Sequence, residues 1–179
     1  MQKLNKFRLP EGFRGKNFIV VQLWYFVQST LFAWSPQILY KYRAFLLSLF
    51  GAEIGKNVKI RPSCKITYPW KITIGDYTWI GDDVVLYSLG KIEIGRNVVI
   101  SQKSYLCTGS HDYKADHFDI YSNNIKIEDK VWIATDVYIA PGVMIGEAAV
   151  VGARSSVFKN LPSNSICIGS PAKVIKKRV

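Results

Sequence analysis

I-G-D-Y-T-W-I-G-D-D-V-V-L-Y-S-L-G-K, residues 74–91, opens each block of six with an aliphatic residue. The period extends outward from there. Backwards it runs through I-G-K-N-V-K, I-R-P-S-C-K and I-T-Y-P-W-K from Ile54, with two extra residues before Ile74. Forwards, after two more extra residues, it continues as I-G-R-N-V-V, I-S-Q-K-S-Y and L-C-T-G-S-H, and after an interruption it resumes at Ile127 and runs to Pro162. Helices repeat at about 3.6 residues and strands at 2, so neither produces this pattern. Six is the repeat of a parallel β-helix, in which three hexads make one triangular turn. The fold class is therefore all-β. The aliphatic at position one and a small residue at position five point inward, and Gly, Asn and Asp between them supply corners that need unusual backbone angles. Fifteen hexads in three nearly unbroken runs argue against an ordinary sheet with coincidental aliphatics.

At 179 residues the chain has room for one domain with appendages. We divide it into residues 1–50, a basic arm with a helical cap or membrane-interface segment, and residues 51–179, the β-helix. The formal net charge is +11, and it is concentrated at the ends. Lys3, Lys6, Arg8, Arg14 and Lys16 face only Glu11 within residues 1–16, and Lys173, Lys176, Lys177 and Arg178 close the chain. A nucleic-acid binder would carry its cations along one face with interleaved aromatics, so no nucleic-acid partner is expected. Phosphorylated small molecules or an anionic membrane surface suit the distribution better. Three cysteines cannot all pair within one chain. They lack metal-ligand spacing, no metal is expected, and with no secretory signal in view a cytoplasmic location with reduced thiols is expected. Cys64 takes the small fifth position of its hexad, and Cys107 follows the inward Leu106.

Residues 17–34 carry no charged side chain. Their length approaches that of a membrane span, but Gln22, Gln28, Ser29 and Thr30 interrupt it and Pro36 ends it. A second helical segment, about 36–50, closes at Gly51. The two helices are expected to cover the open first turn of the coil, whose strand edges would otherwise be unpaired. The sharper alternative is an interfacial helix holding the protein at the inner membrane face. The repeat breaks once, between Leu106 and Ile127, and the excess forms a loop, 109–124, that contains both histidines of the chain. Long loops are tolerated at modest entropic cost and tend to carry function.

Several motifs together make residues 51–179 resemble the left-handed β-helix acyltransferases of the hexapeptide-repeat family, which use acetyl-CoA. They are T-G-S-H (108–111) before an extended loop, V-W-I-A-T-D-V-Y-I-A-P-G-V-M-I-G (131–146), V-V-G-A-R-S-S-V (150–157) and G-S-P-A-K (169–173). P-W-K-I-T-I-G (69–75), Y-L-C-T-G-S-H-D (105–112) and the aromatic N-terminal region narrow the resemblance to the colanic-acid-biosynthesis type of O-acetyltransferase. The resemblance implies a left-handed coil, a homotrimer with active sites between chains, and a glycan or sugar acceptor. It makes His111 the general base, a role for which imidazole is well matched near neutral pH. It places Ala134 or Thr135 and Ala153 at main-chain contacts to CoA, and Lys159, Lys173 and Lys176 near the nucleotide phosphates. Arg154 stands where a small residue is usual, as an extra phosphate contact or a plain substitution. On the acceptor side Tyr87 and Ser88 replace the usual Asn or Asp groups, and Asp112 is expected to contact the acceptor, with orientation of the loop as the alternative. His117 is read as a surface residue of the loop.

Three other readings compete. A carbonic anhydrase of the same fold needs three zinc-binding histidines, and the chain has two. An acetyltransferase for an amino sugar or a small molecule would use the same base. A non-catalytic scaffold would explain the repeat but not the coincidence of T-G-S-H with G-S-P-A-K.

Overall fold

A computed structural model describes residues 2–179. The chain from Glu53 onward winds as a left-handed parallel β-helix of three sheets. The first sheet stacks Glu53–Ile54, Ile72–Ile74, Ile92–Ile94, Ile125–Ile127 and Met144–Ile145. The second runs from Lys59–Ile60 through Trp79–Ile80, Val99–Ile100, Trp132–Ile133 and Val150–Val151 to a C-terminal antiparallel pair, Ser165–Gly169 with Ala172–Lys177. The third holds Lys65–Ile66, Val85–Tyr87, Tyr105–Cys107, Tyr138–Ile139 and Ser156–Val157.

Register turns the hexad period into columns. Ile60, Ile80, Ile100, Ile133 and Val151 lie one above the next, as do Ile66, Leu86, Leu106, Ile139 and Val157. All ten are buried. Position five fills the space between columns, with Val58, Cys64, Thr78, Val84, Val98 and Ser104 buried in six of the first eight hexads. The extra residues at the first sheet are not insertions that bulge outward. Ile72, Ile92 and Ile125 form an additional buried column there, each one place ahead of an outward Thr73, Glu93 or Lys126.

Position four makes the corners. Asn57, Tyr77, Asp83, Asn97, Lys103, Lys130, Asp136, Ala148 and Arg154 take φ between 54° and 62°. Left-handed backbone costs a non-glycine residue about 1–2 kcal/mol. A recurrent bond offsets part of that cost. The corner N–H donates to a carbonyl of the preceding turn, as from Tyr77 to Lys56, Lys103 to Asp82 and Arg154 to Thr135, at 2.8–2.9 Å. Glycine at position two answers a different need. A Cβ on Gly75 would lie 2.7 Å from the Gly95 backbone of the next turn.

The N-terminal helices are α1 (Phe18–Val27), which continues through a π turn at Gln28–Phe32, and α2 (Tyr40–Leu49). Asn17 caps α1 by accepting from the Val20 N–H at 3.0 Å. The helices cover the first turn of the coil, as expected. Trp24 Nε1–H donates to the Ile66 carbonyl at 2.8 Å, Gln28 Oε1 accepts from the Ile66 N–H at 2.6 Å, and Arg43 Nε–H donates to the Ile60 carbonyl at 2.7 Å. These groups belong to the first rungs, which have no earlier turn to pair with. Arg43 is fully buried without a carboxylate partner among its hydrogen bonds. Three more of its N–H groups go to Ser35 Oγ and to the carbonyls of Pro36 and Gln37.

Burial gives the fold a directional response to alkali. It pushes the Tyr68 phenol up to about 12, assisted by the nearby Tyr25, and does the same for Tyr138, with Cys107 adding to the effect. The Cys64 thiol is raised by burial as well. A folded-state pKa above the unfolded value means the native state holds its proton longer, so stability is lost as pH rises between the two values. Unfolding should therefore become easier as pH climbs from about 10 to about 12. Thermal midpoints should fall across that window while tyrosinate absorbance rises; a flat midpoint would contradict the assigned burial.

Candidate active site

The excess segment between the third and first sheets is a built hairpin. From Ile94 to Ile127 the chain takes 33 residues where Ile74 to Ile94 takes 20, an excess of 13. Gly109–His111 pairs antiparallel with Ile120–Ser122, setting His111 opposite Ile120. The hairpin root is fastened to the coil. Thr108 is fully buried, its hydroxyl donating to the Tyr87 carbonyl at 2.6 Å and accepting from the Gly90 N–H at 2.8 Å. A Cβ on Gly109 would stand 2.5 Å from Leu89 Cδ1 and 3.2 Å from Tyr87 Cε1, so a larger residue there would have to displace the buried Leu89 side chain.

The imidazole of His111 is fixed on two sides. Its Nδ1 lies 2.9 Å from the Phe118 carbonyl. A carbonyl only accepts, so the contact requires a proton on Nδ1 and leaves the lone pair on Nε2. The Phe118 ring stacks on the imidazole at 4.2 Å with 7° between planes, and Phe7 of the N-terminal arm approaches at 6.0 Å. Phe118 has φ 52° and donates its N–H to the Ala115 carbonyl at 3.0 Å. That corner aims its own carbonyl at His111. The arm is tied to the hairpin tip as well, through the Lys3 N–H to the Asp116 carbonyl at 2.7 Å and Lys3 Nζ to the Asp116 carboxylate at 3.6 Å. Neither Phe7 nor Phe118 was visible as a site residue in the sequence. A phenylalanine before the hairpin's return strand carries no motif, and Phe7 lies 104 residues away along the chain.

Among the acceptor-side residues, Tyr87 lies against the hairpin root, its ring 6.1 Å from that of Tyr105. Tyr105, Tyr138 and Phe158 continue an aromatic ladder along the third sheet at 6.3 and 5.9 Å. Burial, with help from Cys107, raises the Tyr87 and Tyr105 phenols above their ordinary value. Ser88 must be corrected. It is fully buried, its hydroxyl accepting from the Tyr68 N–H at 2.8 Å and donating to the Tyr68 carbonyl at 3.1 Å. It holds two turns together and faces no substrate. Asp112, expected at the acceptor, has Oδ1 accepting from the Lys114 N–H at 2.9 Å while its own N–H reaches the Asp119 carbonyl, bonds internal to the hairpin. His117 is exposed at the tip.

The residues expected at CoA gather elsewhere. Ala134 and Thr135 lie at the corner between the second and third sheets, with Ala153 and Arg154 directly above, joined by the Arg154 N–H to the Thr135 carbonyl at 2.9 Å. Ala153 is exposed, which leaves the main chain of this corner accessible. Arg154 reaches across to Asp136 at 3.7 Å. Lys173 and Lys176 are exposed on the last strand, opposite Ile168 and Ile166. Lys159 is exposed at the next corner round, between the third and first sheets, the same border that carries the His111 hairpin. The third sheet thus separates two clusters, the hairpin with Lys159 on one border and the Ala134–Ala153 corner on the other. No cluster of three or more metal-ligating side chains occurs among the described residues.

Comparison with known proteins identifies the coil's family. The sequence profile of the family "Bacterial transferase hexapeptide (six repeats)" matches residues 124–159. A relative in Escherichia coli (strain K12), "Putative colanic acid biosynthesis acetyltransferase WcaF", is 66% identical over 179 residues, covering 100% of this chain and 98% of its own length. Among solved structures, galactoside acetyltransferase in complex with coenzyme A superposes with a TM-score of 0.81 at 28% identity, covering 95% of this chain and 84% of its own. A hexapeptide-repeat acetyltransferase of Vibrio cholerae, complexed with acetyl coenzyme A, gives 0.81 at 25% identity, covering 90% and 88%. With these relatives and this coil, the chain belongs to the hexapeptide-repeat acetyltransferases.

Proposed function

We propose that the protein transfers acetyl from acetyl-CoA to a sugar hydroxyl in surface-polysaccharide biosynthesis, with His111 as general base. The observation that carries this reading is the His111–Phe118 bond, which commits Nδ1 to donation and leaves Nε2 basic. In the transfer, Nε2 removes the proton of the sugar hydroxyl as its oxygen bonds to the thioester carbonyl carbon. The carbon–sulfur bond then breaks, and the imidazolium returns its proton to the leaving thiolate. A backbone N–H of the coil stabilises the transient oxyanion. No side chain is acylated. The acceptor class rests on the WcaF relative, with Tyr87 offering a ring on which a sugar face can stack.

The small residues Ala134, half-buried, and Ala153, exposed, leave room for pantetheine along the main chain. Lys159, Lys173 and Lys176 supply cations for the nucleotide phosphates. Because the base and the CoA corner border opposite sides of the third sheet, a second chain packed on that sheet would close them into one groove. The working unit in this reading is a trimer with sites between chains. Light scattering should return three times the 20.3 kDa chain mass; a monodisperse monomer would overturn the shared site. Calorimetric titration of acetyl-CoA tests the donor independently of any sugar. Binding is expected, and its absence would favour a β-helix scaffold without the activity.

A further inference from the structure

We propose that the outward face of the helical cap, together with the basic arm, is a docking surface for an anionic lipid bilayer. α1 turns Val21, Trp24 and Val27 toward the coil, yet its opposite face is not polar. Phe18, Ile19 at 75% exposure, Leu23 and Phe26 project into solvent, followed by Trp34 at 86% and Ile38 at 81%. A surface helix of a soluble protein ordinarily carries charge on that face. Here residues 17–34 hold none. Beside Trp34 lies an open groove of ≈ 560 Å³ lined by Leu31, Pro36, Leu39 and Tyr42 together with Ser29, Thr30 and Ser35. No helix of the described residues is long and apolar enough to cross a membrane. A helix of this kind lies in the interface plane instead.

Charge selects the occupant. Immediately before α1 the arm presents Lys6, Arg8, Arg14 and Lys16 against the single Glu11, Lys3 being paired with Asp116, and Lys41 stands exposed three residues after Ile38. A second copy on this face would bring two such arms together. An anionic leaflet is complementary to both the cations and the apolar stripe, with Trp34 suited to the headgroup boundary. The same arm touches the His111 hairpin through Lys3 and Phe7, so docking would set the candidate active site beside the lipid surface. The inference stands on the N-terminal region alone and does not depend on acetyl transfer.

The test is flotation of the full chain with vesicles of phosphatidylcholine, alone and mixed with phosphatidylglycerol. Wild type should float with the mixed vesicles and stay behind with the neutral ones. A Trp34→Glu/Ile38→Glu variant alters two side chains that project into solvent and should lose flotation. Lys6→Gln/Arg8→Gln/Lys16→Gln should weaken it by about fivefold per cation removed. Light scattering and acetyl-CoA titration on the same samples report assembly and donor binding. Wild type that fails to float with anionic vesicles would overturn the proposal, as would both variants floating like wild type. A fall in assembly mass for Trp34→Glu/Ile38→Glu with unchanged flotation would assign the face to a second copy instead.

Discussion

His111→Ala lowers turnover by at least ~10²-fold while acetyl-CoA still binds; this is the result expected from the hairpin geometry. The side chain is held by the Phe118 carbonyl and the Phe118 ring, and it supports no rung of the coil. Its removal should therefore spare the fold, and circular dichroism of the variant should match wild type. Steady-state rates with a sugar acceptor, paired with calorimetric titration of acetyl-CoA, separate the two roles. Near-normal turnover would remove the general-base assignment. Lost binding with intact structure would move His111 from proton transfer to donor recognition.

The second large effect is on stability. Trp24→Ala should cost about 3–5 kcal/mol, the range for emptying a buried aromatic site. Trp24 is fully buried, packs on Phe32 at 6.2 Å and Phe50 at 5.2 Å, and donates to the Ile66 carbonyl. Single domains have about 5–15 kcal/mol in hand, so this loss would leave a marginal protein. Trp24→Phe keeps most of the volume but removes the donor, and should cost about 1–3 kcal/mol for the stranded carbonyl. Urea midpoints at fixed protein concentration, the control an oligomer demands, compare the three proteins. Equal midpoints would show that the cap is not what closes the first turn.

The two predictions fall on opposite sides of what could be read before folding. The coil was legible because its logic is local and repeated. Ile80 needs only Ile60 below and Ile100 above, and those neighbours recur every twenty residues through the first turns. The corner positions follow the same repeat, but not their residue types: Tyr77, Lys103, Lys130, Ala148 and Arg154 take positive φ where Gly, Asn and Asp were expected. The helical cap and the histidine-bearing excess segment were legible. Ser88 was not. The resemblance placed it on the acceptor side, whereas the folded coil turns Ser88 inward to bridge the Tyr68 backbone of the neighbouring turn.

By itself the sequence determined the parallel β-helix, its three columns and the place of the interrupting segment, because a six-residue period states its own packing. Tertiary structure alone decided which nitrogen of His111 is free, that Phe7 and Phe118 wall it, and that Trp24, Gln28 and Arg43 meet the unpaired rungs. Those contacts join residues 42, 38 and 17 positions apart in the cap, and 7 at the imidazole. None of them repeats. A contact made once leaves no period in the chain, and it exists only when the folded backbone brings its two ends together.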